Sequence, residues 1–339
     1  MRTEPGGGMN EVVLGQVPAL PALYRDAVLR AARRRVRGSA VRLEVPSVRH
    51  RAERIRVDPG ALTAFQHLLG EPARDTLPSA YVHTIAFPVA MSVLARPEFP
   101  LPLLGMVHLG STVEQFRSIS LAEQLDVVAY AEDLRPHRAG TQVDVVTEVS
   151  GEGSTVWRGR SVYLARGVRL PEAGNASRKD SSGPHPSASF VPPVPTGIWE
   201  LDSGTGRRYA AVSGDWNPIH LSSVAARALG MKRSIAHGMY LAARMVGQAC
   251  PAPADELRWS IDFATPVLLP GSVAVAFTEA PAGMPQGDAP GKQAGAHVGK
   301  RADVPQDDRT AIESLRTDVV GWSRERNRPH FTGWVGRSA

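Results

Sequence analysis

Apolar residues recur along this chain in two rhythms, and the order of those rhythms repeats. Tyr81 to Leu94 is an apolar run of helix length, carrying Ile85, Phe87, Val89, Met91 and Val93. Alternating segments follow it: Met106 to Val113, Leu125 to Ala131, Gln142 to Glu148 and Thr155 to Leu164. The last three show the period of two and the β-branched enrichment of antiparallel strands. The plan then returns. Met239 to Ala249 is again an apolar helix, with Met239, Ala242, Ala243 and Val246 on one face, and Leu257 to Phe263, Val273 to Thr278, Leu315 to Trp322 and His330 to Val335 come after it. Each half reads as one long buried helix followed by four or five strands. A sheet wrapped around a single helix satisfies that order, so the expected class is α+β, with two such units pairing through their sheets.

Two stretches interrupt the pattern. Pro171 to Gly197 is rich in Pro, Ser, Gly and charge and reads as a solvated linker. Residues from about 280 to 308 have a similar composition and read as a flexible insertion between strands of the second half. The expected division is therefore 1–170, a first unit preceded by an N-terminal helix; 171–197, a linker; and 198–339, the second unit with its insertion. The N-terminal helix rests on Leu20, Leu23, Tyr24, Val28 and Leu29 at roughly helical spacing, followed by five arginines between Arg30 and Arg37.

The formal charge of +6 suits anionic partners, such as the phosphates of a nucleotide-derived carrier or an acidic carrier protein. Nucleic acid has little beyond that charge to recommend it, because zinc-finger spacing, aromatic–basic interleaving and a recognition helix are all missing. A single cysteine, Cys250, excludes an internal disulfide and points to the reducing cytoplasm. No run of about eighteen uncharged apolar residues occurs, so no membrane span is expected. The first residues lack the apolar core of a secretory signal.

The densest polar chemistry lies between Tyr209 and Met239. Asp215 and His220 flank Asn217-Pro218, a pair that initiates turns and disfavours helix. A tight turn there could bring carboxylate and imidazole to one side, one group ionised and the other titrating near neutrality, as proton transfer requires. Capping and local hydrogen bonding would use the same residues. Ser222 or Ser223 could cap a short helix through Ala228 that ends at Gly230. Gly238 stands where the second apolar helix begins, so its N–H is one of the orphan donors of a helix start. A thioester carbonyl oxygen placed there would be stabilised as it gains negative charge, aided by the helix dipole.

Ser213-Gly214-Asp215-Trp216-Asn217-Pro218-Ile219-His220, with Ile235-Ala236-His237-Gly238-Met239 downstream, resembles the MaoC-like (hydratase 2) family in both residues and spacing. The resemblance implies a double hot-dog fold, with each half a long central helix wrapped by an antiparallel sheet. It implies Asp215 and His220 as the catalytic pair, Gly238 as oxyanion donor, and Asn217 and Ser213 as supports of the loop. The reaction it implies is reversible syn addition of water to a trans-2-enoyl thioester, giving the (R)-3-hydroxyacyl thioester of coenzyme A or of an acyl carrier protein. No cofactor and no metal are expected, and a homodimer is left open. Two departures stand out: Ser234 replaces a common proline, and Val246 takes the place of a serine found in some members.

The first half is similar to the non-catalytic repeat of two-hot-dog members, at Pro78 to His83 and Leu104 to His108, and it has no Asp-x-Asn-Pro-x-His turn. His83 and His108 read as packing histidines. Loss of the loop there would leave room for a longer acyl chain. The rival readings are a hot-dog acyl thioesterase, in which a water poised by Asp215 attacks a carbonyl, and a catalytically silent acyl-thioester-binding subunit. Serine or cysteine hydrolases, zinc enzymes and Rossmann nucleotide binders lack their motifs here.

Overall fold

Both long apolar runs are helices, and every alternating segment named above is a strand. The computed structural model describes residues 9–27, 44–169, 190–228, 230–280 and 315–338. The basic run from Arg30 to Arg37, most of the 171–197 segment and the insertion from 281 to 308 lie outside those residues.

In chain order the first half contains β1 (Asn10–Leu14), a helical segment at 20–27, β2 (Val48–Arg56), α1 (Pro59–Leu69), α2 (Ser79–Leu94), β3 (Met106–Gln115), β4 (Gln124–His137), β5 (Gly140–Gly151) and β6 (Ser154–Arg166). The second contains β7 (Gly197–Leu201), three short helices α3 (Thr205–Ser213), α4 (Pro218–Leu221) and α5 (Ser223–Ala228), then α6 (Gly238–Ala249), β8 (Leu257–Phe263), β9 (Gly271–Ala280), β10 (Leu315–Ser323) and β11 (Arg328–Arg337). Among the described residues all eleven strands form one sheet, in the order β1-β2-β4-β5-β6-β3-β8-β11-β10-β9-β7.

That order contains a repeat. Numbering the five strands of each half from one, starting at β2 and at β7, both halves run 1-3-4-5-2 from the outer edge to the middle. The two second strands, β3 and β8, meet antiparallel from Gly110↔Asp262 to Gln115↔Leu257. The fold is thus α+β with two equivalent helix-and-sheet units joined edge to edge, and the sheet is antiparallel except where β1 runs parallel to β2.

One expectation needs amendment. A strand precedes the central helix in each half, and four follow it, where the hydrophobic pattern gives only the strands that follow. In β2 the inward positions are Val48, His50 and Ala52, while Arg49 and Arg51 stand between them. An alternation carried by one valine, one alanine and a histidine reads as polar. His50 is accommodated by a 2.6 Å hydrogen bond between its Nδ1 and Ser92 on α2. β7 has only Trp199 and Leu201 facing in. The helix α1 was also missed, although its ends are written in the sequence: Asp58 Oδ1 accepts from Ala61 N at 2.8 Å, Pro59 opens the first turn, and Gly70 closes the last.

The two central helices touch each other, and their buried faces belong to one continuous core with the inner face of the sheet. A single hydroxyl ties the halves at that seam. Trp157 of β6 and Trp259 of β8 are wholly buried, and both indole N–H groups donate to Ser79 Oγ at the start of α2, at 3.1 and 3.0 Å. An indole can only donate, so Ser79 supplies the acceptor for both rings.

Replacing Ser79 with alanine would leave two buried N–H groups unpaired. Ser79→Ala is expected to cost about 2–4 kcal/mol of unfolding free energy, checked by denaturant unfolding of both proteins. A change below half a kcal/mol would show that the two indoles find other acceptors.

Candidate active site

The turn that carries Asp215 is built from the end of α3. Gly214 adopts φ 73°, a left-handed conformation that glycine enters without steric cost, and its N–H bonds back to Ala210 O. Ser213 Oγ donates to Tyr209 O at 2.8 Å and accepts from Asp215 N at 3.3 Å. Asn217 then caps α4, its Oδ1 accepting from Ile219 N, and Pro218 occupies the first helical position. Four residues of helix bring His220 back over Asp215. Ser222 Oγ accepts from Ala225 N at 3.1 Å and so caps α5, as its sequence suggests.

His220 is buried, and its Nδ1 lies 2.9 Å from Ile235 O. A carbonyl oxygen can only accept, so Nδ1 carries the proton and Nε2 is left with a lone pair. Burial holds the imidazole below its ordinary pKa, while the Asp215 charge pulls the other way. Burial likewise pushes the Asp215 carboxyl above its ordinary value, opposed by His220, by the Asn217 N–H and by a hydrogen bond from Tyr24. The pair thus consists of one basic nitrogen and one carboxylate in a poorly hydrated corner.

A second imidazole completes the corner. His237, the residue before α6, stacks on His220 with ring centroids 3.7 Å apart and donates from Nε2 to the Asp215 main-chain oxygen at 3.0 Å. Its buried Nδ1 has no partner among the described residues, and burial lowers the ring's pKa well below its ordinary value. Asp215, His220 and His237 offer side-chain atoms within 4.8 Å of one another, the one cluster among the described residues with a metal-site composition. Each imidazole commits one nitrogen to a main-chain carbonyl, which fixes its tautomer and leaves the other nitrogen with a lone pair.

Gly238 opens α6, and among the described residues no side chain caps that end. Its first N–H groups therefore face the same corner without intrahelical partners. Packing requires the glycine. A Cβ at Gly238 would stand 2.7 Å from the Phe263 ring, so the space is filled by the last residue of β8 and not kept open for a ligand. Phe263 in turn meets the edge of His108 at 5.3 Å, which links the corner to the first half. His108 stacks on Tyr163 at 4.8 Å and lies 6.4 Å from His83. Burial lowers His83 to about 4 and His108 to about 3, His83 adding to the effect on His108.

The five residues singled out from the sequence, Ser213, Asp215, Asn217, His220 and Gly238, thus lie on consecutive elements around one corner. Two further side chains belong there. His237 sits within the quoted motif and could have been found from it. Tyr24, whose hydroxyl donates to Asp215 Oδ1 at 3.2 Å from 191 residues away, gives no local signal, since in sequence it is one more large residue on an amphipathic helix.

Comparison with known proteins bears on the whole chain. The model of the MaoC-like domain family matches residues 188–294. The chain is 32% identical over 243 residues to the 3-hydroxyacyl-thioester dehydratase X of Mycobacterium tuberculosis, spanning 71% of this chain and 83% of that protein. The crystal structure of HtdX from Mycobacterium tuberculosis superposes with a TM-score of 0.65 at 26% identity, covering 86% of this chain and all of that one. A MaoC-like dehydratase from Phytophthora capsici shares the fold, with a TM-score of 0.58 at 15% identity over 88% of this chain and 96% of its own. Among the described residues no helix is long and apolar enough to cross a membrane.

The buried neutral histidines give a pH dependence of stability with a definite sign. Their folded pKa values lie below the unfolded one near 6.5, so their contribution is complete above pH 6.5 and is lost as pH falls toward about 4 for His83 and about 3 for His108. Between pH 6 and pH 4.5, His83→Gln should flatten the slope of unfolding free energy against pH by up to about 1.4 kcal/mol per unit. Parallel slopes for variant and wild type would mean that His83 is protonated inside the folded protein.

Proposed function

The chain belongs to the MaoC-like dehydratases, acyl-thioester hydro-lyases, and on that premise we propose that Asp215 and His220 carry its chemistry, with Gly238 as the oxyanion donor. The substrate is a trans-2-enoyl thioester and the product the (R)-3-hydroxyacyl thioester, interconverted reversibly. The observation that carries this reading is the unprotonated His220 Nε2 beside the Asp215 carboxylate, at the uncapped start of α6.

In hydration, His220 Nε2 takes a proton from water as the water oxygen bonds to carbon 3. The electrons of the C2–C3 double bond move toward the thioester carbonyl, whose oxygen gathers negative charge at the first N–H groups of α6. The imidazolium returns its proton to carbon 2 from the side it came from. One base working on one face accounts for syn addition. Asp215 orients the water and stabilises the imidazolium while it exists; the carboxylate's attraction already raises the His220 pKa against burial. Asn217 and Ser213 hold the turn. Dehydration is the same path in reverse.

On this reading, residues 198–339 are the catalytic unit and 1–170 the silent repeat. Between β2 and α2 the first half has α1 and a loop, where the second half has the Asp-His turn. The carrier is coenzyme A or an acyl carrier protein, and the net positive charge favours either. The thioesterase and silent-subunit readings draw no support from the dehydratase relative.

Hydration of crotonyl-CoA, followed as loss of enoyl absorbance, should yield the (R) alcohol, and Asp215→Asn and His220→Ala should each lower kcat by about a hundredfold or more. Formation of the (S) enantiomer, or activity surviving both substitutions, would refute the assignment. Turnover of a sixteen-carbon enoyl-CoA at a rate comparable with the four-carbon substrate is expected if the silent half accommodates the acyl tail. A strict short-chain preference would remove that part of the proposal.

A further inference from the structure

The N-terminal segment reaches the active site from the opposite edge of the sheet. β1 runs parallel to β2 at the outer edge of the first half, and the chain then crosses to the catalytic turn of the second. Leu20 is buried there, its Cδ1 lying 3.8 Å from where a Cβ on Gly214 would stand. One turn on, the Tyr24 hydroxyl donates to Asp215 Oδ1 at 3.2 Å. The carboxylate's other donor, Asn217 N, also engages Oδ1, at 3.2 Å. Oδ2 accepts no hydrogen bond among the described residues and lies 3.9 Å from His237 Nε2.

We propose that Tyr24 is a positioning residue of the active site: it holds the Asp215 carboxylate by Oδ1 so that Oδ2 is presented to the reacting water. This rests on the assignment of Asp215 above. A carboxylate can rotate about its last bond, and a main-chain donor within the same turn fixes that rotation only loosely. A second donor from another element fixes it in space and also favours the ionised form. The groups facing Asp215 are Tyr24 from the N-terminal segment, Tyr163 from β6, Tyr209 from α3, His220 from α4 and His237 before α6. Of the three phenols, only Tyr24 hydrogen-bonds the carboxylate. Burial and the neighbouring carboxylate both push its own pKa upward, so it remains a donor throughout the working range. A chain shorn of this segment would keep the acid/base pair and lose the orientation of one member.

Removing only the hydroxyl separates positioning from packing. In Tyr24→Phe the acid limb of kcat/KM for crotonyl-CoA should move up by about one pH unit, with about a tenfold loss below that limb and KM within about twofold of wild type, the scale of one hydrogen bond to a charged group. Installing 3-fluorotyrosine at Tyr24, a stronger donor of nearly the same shape, should move the limb down. Leu20→Ala, which loosens the same segment and keeps the hydroxyl, should lower Tm and leave the limb in place. An unmoved limb in both Tyr24 variants would overturn the proposal. Asp215→Asn tells this failure from the broader one: if it retains activity the catalytic assignment itself is wrong, whereas if it is inactive and the limb is unmoved, Tyr24 alone is misassigned.

Discussion

The edge-to-edge junction of β3 with β8 is the constraint on which the rest of the molecule depends. Neither half could bury the second strand of its sheet alone, and an unpaired strand of six residues or more would expose a ladder of donors and acceptors. Pairing β3 with β8 removes both edges at once and brings the two central helices into contact. Ser79 then anchors a tryptophan from each side of the junction. The Asp215–His220 corner lies just beyond this seam, because Phe263 ends β8 and its ring fills the place that a side chain at Gly238 would need. Seam and site are therefore mechanically one object.

Much of this was legible in the sequence because strong periodicity survives translation into structure. The two central helices and eight strands, all large, apolar and regular, stand where the pattern puts them. The Asp215–His220 turn was legible for a different reason. Asp, Asn-Pro, His and a later His-Gly at fixed spacing have a joint local geometry, and the structure gathers Ser213, Asp215, Asn217, His220 and Gly238 around one corner. What escaped was either short or carried by polar residues. β2 hides among arginines, β7 has two inward residues, and α1 is marked by its caps more than by its apolar face.

Tyr24 escaped for a deeper reason. Its meaning depends on a contact 191 residues distant, and no local pattern encodes that. Gly238 shows the converse case, a residue singled out for its N–H at a helix start, whose missing side chain has a separate cause in the packing. The glycine is demanded by an aromatic ring behind it, while the N–H in front remains available for charge. A motif can mark a functional position without revealing which face of it is constrained.

The shared winding of the halves, 1-3-4-5-2 in both, has a consequence for how they can change. The two units share one winding and differ in what they hold: the second carries the Asp215–His220 turn, and the first has α1 and a loop in its place. The first unit reaches the corner through its seam strand, through Ser79 and Trp157, and through His108 and Tyr163. On the assignment proposed above, substitutions in the first unit away from those contacts would alter the acyl-binding side and leave the acid/base turn untouched, an arrangement that a symmetric pair of identical units could not offer.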